Sequence, residues 1–295
     1  MELRVLKYFL AVAEEKGYTP AANRLHVTQP TLSRQIAEME QELGTTLFVR
    51  GKRGRALELT EDGELLRRRA EEIVALATRT ETAFTRDREH IAGTVTIGAG
   101  ETPNVRILAD AAVSVKNAHP DVDFITFSGN AADVTEKLDA GLIDFGLLLG
   151  ASIPRRYDSL VFPVSDAWGL LMRQDCPLAE KDTITPKDLK GIPLIASMQS
   201  SATGVLSGWL GYRSSELNVV ARYNLLFNAS IMVKAGMGSA ICLEGIVEPN
   251  PSNGLIFRPL KPALTQNMLL TWKKNAPLSR AAQAFLDEVK KIVRQ

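Results

Sequence analysis

Residues 19–40 read TPAANRLHVTQPTLSRQIAEME, and the rest of the chain is organised around them. Their spacing predicts two short helices joined by a tight turn. Thr19 offers a hydroxyl cap for the first helix, with Pro20 at the first helical position, where a missing N–H costs nothing. Ala21 and Ala22 are small enough for a second helix to cross closely, and Leu25 supplies an apolar contact. Thr28 offers a second cap, and Pro30 falls in the following first turn. Leu32, Ile36 and Met39 recur at helical spacing and form an inward stripe. Gln29, Thr31, Ser33 and Arg34 stay near the N-terminal end, the part of a recognition helix that meets base edges in a major groove, and Thr28 beside them is a further candidate DNA contact. Singly, a Ser or Thr at a helix front is more often a cap, and a lone Arg a solvated charge. The DNA-contact reading rests on the small pair, the turn, the second cap and the polar front arriving together.

Upstream, residues 2–16 place Leu3, Leu6, Phe9, Leu10 and Ala13 on one helical face, and Gly17 is expected to end that helix as a left-handed residue. Downstream of Leu43-Gly44, Phe48-Val49 and residues 57–59 read as two short strands around a Gly-rich turn, 51–54. Arg50, Lys52, Arg53 and Arg55 crowd that hairpin. A charge run is by default a solvated turn. Directly after a recognition helix it reads as a wing that grips phosphates or a minor groove.

Thr60 can cap a helix running to about residue 90. Leu66, Ala70, Ile73, Ala77, Thr80 and Phe84 alternate steps of four and three, a heptad-like seam diluted by alanine and threonine. A surface helix packed on its own domain would also explain it. A helix this long between two domains more often packs on a copy of itself.

Residue 93 begins a different pattern. Segments 93–99, 122–128 and 145–149 read as apolar strands, alternating with helices over 104–116 and 132–139, which predicts a parallel sheet covered on both faces. A second such set follows Val164, with strands at WGLLM, PLIA, VVARYNLL and SAICL and helices over 204–210 and 230–235. Strand-like runs return at LIFRPL and NMLLTW, and 281–293 is a closing helix. Two similar α/β halves in sequence suggest a hinged pair.

Ligands of open α/β sheets lie beyond the carboxyl ends of the strands, where helix N-termini present free N–H groups. Four stretches fit that place: 100–104, with Glu101 and Thr102; 128–130, with Ser128 and Asn130; 197–203, with Ser197, Ser201 and Thr203; and 227–230, with Phe227 and Asn228. Helix capping explains any one of them. Four converging polar turns favour a shared pocket. Glu101 would repel an anionic effector, so the effector is expected to carry a cation or many hydroxyls unless Glu101 points to solvent.

The composition narrows the function. A net charge of +1 on 295 residues means that any nucleic-acid contact must come from local clustering of charge. No export signal or apolar run long enough to span a bilayer is evident, so a cytoplasmic protein without membrane contact is expected. Cys176 and Cys242 cannot make a disulfide framework; buried packing suits them better than a redox switch. His26, His90 and His119 are scattered without metal-ligand spacing, and no cysteine–histidine nucleophile pair or Walker sequence is present. Gly98-Ala99-Gly100 lacks the remainder of a dinucleotide fingerprint, and the pair Gly236 and Gly238 reads as a helix end. Neither a catalytic set nor a cofactor or metal site is expected.

Phe9–Ala13, Thr19-Pro20-Ala21-Ala22, Leu25, the run Val27 to Ser33, Gln35-Ile36, Leu43-Gly44, Leu47-Phe48 and Leu59-Thr60 together resemble the N-terminal domain of LysR-type transcriptional regulators. The likeness runs almost continuously from Leu3 to Gly63; beyond it, length and order of elements agree more loosely. The resemblance implies a winged helix-turn-helix over 1–60 with base contacts from Gln29, Pro30, Thr31, Ser33 and Arg34 and the wing on the backbone. It implies a linker helix, 61–90, through which members dimerise. It also implies a regulatory portion with the fold of periplasmic binding proteins, two Rossmann-like lobes joined by crossover strands. One lobe would comprise 93–163 and 265–295, the other 164–264. Thr102 matches a hydroxyl residue that members often use to bind an effector, and Asn130 and the 197–203 loop lie at other usual contact positions.

The expected protein is thus a DNA-binding regulator acting as a dimer or tetramer, with a small-molecule effector and RNA polymerase as further partners. The rivals are a solute-binding protein or a transferase of the same two-lobed fold, and a DNA-binding scaffold whose pocket is vestigial or filled by a partner protein.

Overall fold

The chain opens with helices α1 (Leu3–Glu15), α2 (Tyr18–Leu25) and α3 (Gln29–Leu43). The structure is a computed structural model and describes residues 1–50, 56–83, 90–150, 154–198, 205–248 and 254–294, with Arg50, Arg79, Thr82, Ala83 and Val205 by backbone alone. The chain divides into two compact units, Met1–Arg86 and Asp87–Gln295.

In the first unit the caps differ from expectation. The left-handed residue after α1 is Lys16, at φ 52°, while Gly17 is extended and becomes the N-cap of α2. Thr19 therefore lies inside α2 and exposed, and Pro20 is third in the helix, still within the turn whose N–H groups have no partner. The Tyr18 ring packs edge-on against Phe48, centroids 6.2 Å apart, which brings the helix start forward to residue 18. The second cap is as expected: the Thr28 hydroxyl accepts the Thr31 N–H at 3.4 Å, with Pro30 in the first turn of α3. Leu32, Ile36 and Met39 are buried against Leu6, Phe9, Val12, Ala21 and Ala22. On α1, Leu3, Leu10 and Ala13 form the half-buried margin of that face rather than its centre.

Strands β1 (Phe48–Arg50) and β2 (Leu57–Leu59) pair antiparallel, Phe48 opposite Leu59. The Glu40 carboxylate accepts the N–H groups of Leu47 at 2.7 Å and Phe48 at 3.3 Å, tying the hairpin to α3. Thr60 caps α4 (Glu61–Ala83) by accepting the Gly63 N–H at 2.9 Å. A Cβ at Gly63 would lie 2.2 Å from the Leu47 carbonyl oxygen, so glycine lets α4 start against the base of the hairpin.

The expected seam on α4 needs correction. Ala70 is fully buried in the core that holds Phe9 and Ile36, and Leu66 packs on that core. Ala70 is therefore committed to its own domain, and Leu66 is partly so. Ala77 is half-buried, and Phe84 lies outside the described residues. The exposed apolar side chains of α4 are Leu65, Ile73 and Leu76, on a neighbouring face. The helix belongs to the first compact unit rather than to a separate segment.

In the second unit the elements are β3 (Gly93–Ala99), α5 (Arg106–Ala118), β4 (Val122–Ser128), α6 (Ala131–Asp139), β5 (Phe145–Leu149), β6 (Tyr157–Arg173) and β7 (Leu194–Ser197). There follow α7 (Val205–Leu210), β8 (Val219–Tyr223), α8 (Leu226–Lys234), β9 (Ser239–Leu243), β10 (Leu255–Pro259), β11 (Thr265–Lys273) and α9 (Arg280–Arg294). Among the described residues nine strands form one hydrogen-bonded sheet, ordered β4-β3-β5-β11-β6-β9-β7-β8, with β10 paired to β6.

β3 runs parallel to β4 and β5, and β7 parallel to β8 and β9, as a βαβ pattern requires. The sheet as a whole is mixed, not parallel, because β6 and β11 run antiparallel to each other and to their other neighbours. WGLLM is not a strand of its own: it is the far end of β6, whose residues 157–167 pair with β11 and 168–173 with β9 and β10. One half of the unit has a core of Val95, Ile97, Leu108, Val115, Phe145 and Phe285, so the closing helix packs there. The other half is built around Leu170, Leu194, Ile241 and Leu260, with a further cluster under α8.

Candidate functional site

The front of α3 is the first candidate surface. Gln29, Pro30, Thr31 and Arg34 are exposed, and Ser33 is half-buried. Thr28 is spent on the cap, its hydroxyl 2.8 Å from that of Thr31. Arg34 donates to Glu38 at 2.8 Å along the helix, and this hydrogen bond raises its pKa, so it stays cationic. The pair is fully solvated, and an exposed pair of this kind is worth little, so the guanidinium can be exchanged onto a base edge or phosphate. The side chain of Arg50, and all of Lys52, Arg53 and Arg55, lie outside the described residues.

The second candidate lies between the halves of the second unit. Thr102, expected to hold an effector, is 8% exposed and donates its hydroxyl to Asp166 at 2.6 Å. Asn104 donates its amide to the other Asp166 oxygen, also at 2.6 Å. Asp166 sits in β6 opposite Gln266 of β11, where the chain passes between halves. Burial holds its carboxyl above the ordinary carboxylate range, against the pull of the two hydrogen bonds. Asn104 lies in the expected 100–104 stretch without having been singled out, and Asp166 and Gln266 were not among the expected site residues. The signal for Asp166 was a carboxylate directly before the apolar run at 167–172.

Glu101 does not turn away to solvent. It is half-buried, and its carboxylate accepts the Leu226 N–H at the start of α8, in the other half. Phe227 and Asn228 therefore belong to the first turn of a helix, not to a loop, and both are exposed. Tyr223 ends β8 nearby; burial, with Cys242 and Glu101 close by, raises its pKa well above the phenolic norm, and its hydroxyl donates to the Ile241 carbonyl at 2.7 Å. Ser197 is buried beside Tyr223. Gly129, between Ser128 and Asn130, donates its N–H to the Ala99 carbonyl at 3.0 Å. The turns after β3, β4 and β8 are thus brought together, with Ser197 at the end of β7 beside them. Asn130 is occupied as a helix cap, accepting from the Ala132 and Asp133 N–H groups at 2.8 and 3.1 Å, and Ser128 is exposed. Ser201 and Thr203 lie outside the described residues.

Cys242 is buried under α8, where burial pushes its thiol up to about 12 and leaves it inert at neutral pH. Among the described residues no cluster of His, Cys, Asp and Glu could hold a metal ion, and no helix is long and apolar enough to cross a membrane.

A helix-turn-helix with a solvent-facing polar front, followed in the same chain by a two-halved α/β domain with polar contacts between its halves, is the arrangement of a class: regulators that bind DNA and sense a small molecule. Residues 3–64 match the bacterial regulatory helix-turn-helix model of the lysR family, and residues 88–294 match the LysR substrate binding domain; the chain belongs to the LysR family of transcriptional regulators. It is similar to the Hca operon transcriptional activator HcaR of Escherichia coli (strain K12), 29% identical over 284 residues that cover 93% of this chain and 92% of that protein. It is also similar to the nitrogen assimilation regulatory protein nac of Klebsiella aerogenes, 25% identical over 304 residues, with 99% and 95% covered. The fold is that of CbnR, a LysR family transcriptional regulator, at a TM-score of 0.74 and 21% identity over the whole of both chains. CbnR complexed with its target DNA gives 0.72, also at 21% identity, covering 99% of this chain and 100% of that one.

Proposed function

We propose that the chain is a cytoplasmic, non-enzymatic, effector-gated regulator. In this reading Gln29, Pro30, Thr31, Ser33 and Arg34 read base edges, and Arg50, Lys52, Arg53 and Arg55 grip the phosphate backbone. A homodimer, or a tetramer built from two, forms through α4, and its contact face is Leu65, Ile73 and Leu76 rather than Leu66 and Ala70. A small molecule binds among the turns after β3, β4, β7 and β8, near Glu101, Thr102, Ser197, Phe227 and Asn228. Residues 93–163 with 265–295, and 164–264, act as the two lobes.

The observation that carries the reading is the hydrogen bond from Leu226 to Glu101. It joins the carboxyl-end turns of the two halves across the shared strands, where a ligand of an open α/β sheet is held. A ligand that prefers one arrangement of the halves shifts the population of arrangements available to the DNA-binding unit.

A thermal-shift screen of metabolites, repeated with promoter DNA, tests it. A ligand bound only to the native state raises the melting temperature, by about 2.7 kcal/mol of stabilisation at a hundredfold excess over Kd. The expected outcome is a metabolite that does this and also changes DNA affinity. No hit from a complete extract, with DNA binding intact, would leave a DNA-binding protein without a sensor.

A further inference from the structure

The strongest unexplained feature is the polar contact at the start of α8. This helix has Leu225 at its N-cap, a side chain with no acceptor, and makes no side-chain cap bond of its own. Asn224 turns its side-chain oxygen to the Leu225 N–H at 2.9 Å, one residue too early to serve the helix. The Leu226 N–H is served instead by Glu101, 125 residues earlier in the chain and in the other half. A carboxylate at a helix N-terminus is favoured twice, by the hydrogen bond and by the helix dipole.

The approach of the Glu101 loop is supported at a second point. Gly245, at φ +77° and on the same side of the second half as α8, lies against Pro103; a Cβ there would come within 3.2 Å of the Pro103 ring. The 101–104 loop is therefore seated on the second half by backbone proximity as well as by Glu101. The other carboxylate between the halves, Asp166, is engaged among the described residues by the neutral donors Thr102 and Asn104.

We infer that Glu101 determines effector specificity by acting as a tethered anion. Its carboxylate fills the seat at the start of α8 that a ligand carboxylate would otherwise take, and it fastens the two halves while no ligand is present. The inference rests on the cleft being the effector site. It adds that an effector bearing a carboxylate is refused at this position, and that an effector with a cationic nitrogen or hydroxyls meets Glu101 and Asp166 as acceptors. Among the described residues, Tyr223 and Ser197 are neutral polar groups of the second half beside Glu101.

Hydrogen exchange at the Leu226 amide of the full chain tests this, with acetate as the probe anion and chloride at equal ionic strength as the control. In Glu101→Ala the Leu226 amide should exchange about fivefold faster than in the parent, the loss expected of a missing helix cap. Excess acetate should restore protection in Glu101→Ala and leave the parent unchanged. Unchanged protection in Glu101→Ala, or equal protection of parent and variant by acetate, overturns the inference. Should Glu101→Ala not fold by circular dichroism, Glu101→Gln takes its place: partial loss of protection supports the tether, and full parental protection refutes it. No effector or DNA enters these readings. A tether that behaves as stated in a chain that binds no metabolite would refute the sensing role alone.

Discussion

Glu40 shows how one side chain can set the geometry of a DNA-binding surface. Its carboxylate holds the Leu47 and Phe48 N–H groups and so fixes where the hairpin leaves α3. Glu40→Ala leaves two partly buried donors without an acceptor and should lower the stability of the first unit by about 1–3 kcal/mol, read from chemical denaturation. A change within error would mean that water replaces the carboxylate freely. At the helix front the roles divide differently. Arg53→Ala should weaken binding to all duplexes and flatten the slope of log affinity against log salt by about one. Ser33→Ala and Arg34→Ala should change which operator is preferred; if all three lose affinity uniformly, the division between base and phosphate contacts fails. Asp166 makes a prediction in pH. Its native pKa is raised, so between the ordinary value of about 3.9 and the raised one the folded chain holds more protons than the unfolded chain. Its contribution to stability therefore falls as pH rises through that mildly acidic window, and Asp166→Asn removes the fall. A difference between parent and variant that is flat with pH would contradict the assignment.

Among the elements, α3 was the most legible, because its cap at Thr28, its proline and its buried stripe all agree. The α1–α2 junction was misread by a residue or two, since the packing of Tyr18 on Phe48 is a tertiary fact that local cap chemistry does not contain. The VVARYNLL segment was read too long as a strand. An apolar run cannot by itself distinguish a strand end from a buried helix start, and here β8 stops at Tyr223 and α8 begins at Leu226. On α4 two of the heptad-like residues, Leu66 and Ala70, pack into the helix's own domain while Ile73 stays exposed, because small residues such as Ala70 suit close helix packing as well as a dimer seam. The corrected face is tested by Ile73→Glu with Leu76→Glu. Sedimentation should report a shift toward monomer with the melting temperature of the first unit unchanged. Ala70→Leu, by contrast, overpacks the domain core at about 1–3 kcal/mol without altering association. Equal association in the double variant and the parent would move the contact elsewhere.

At the level of the whole molecule, alternating apolar strands and helices were enough to predict an α/β regulatory portion, and the order of elements stands. The pattern could not show that β6 runs on from one half into the other with β11 antiparallel beside its first part, since strand direction depends on partners distant in sequence. Three of the four polar turns expected to converge do meet between the halves, and the turn at 199–204 lies outside the described residues; that their polar groups are already engaged with one another was not legible. In the proposed function, a ligand that breaks those engagements must bind the alternative arrangement better. All of this matters for gene regulation only if the polar tip of α3 distinguishes one duplex from another. The direct measurement is competition binding of the full chain to fragments of its own genome, at moderate salt and with metabolite extract present. The account predicts that a small set of promoter fragments is held about a thousandfold or more tightly than bulk DNA, and that Arg34→Ala changes the members of that set. Equal affinity for every fragment, with a normal salt slope, would contradict it.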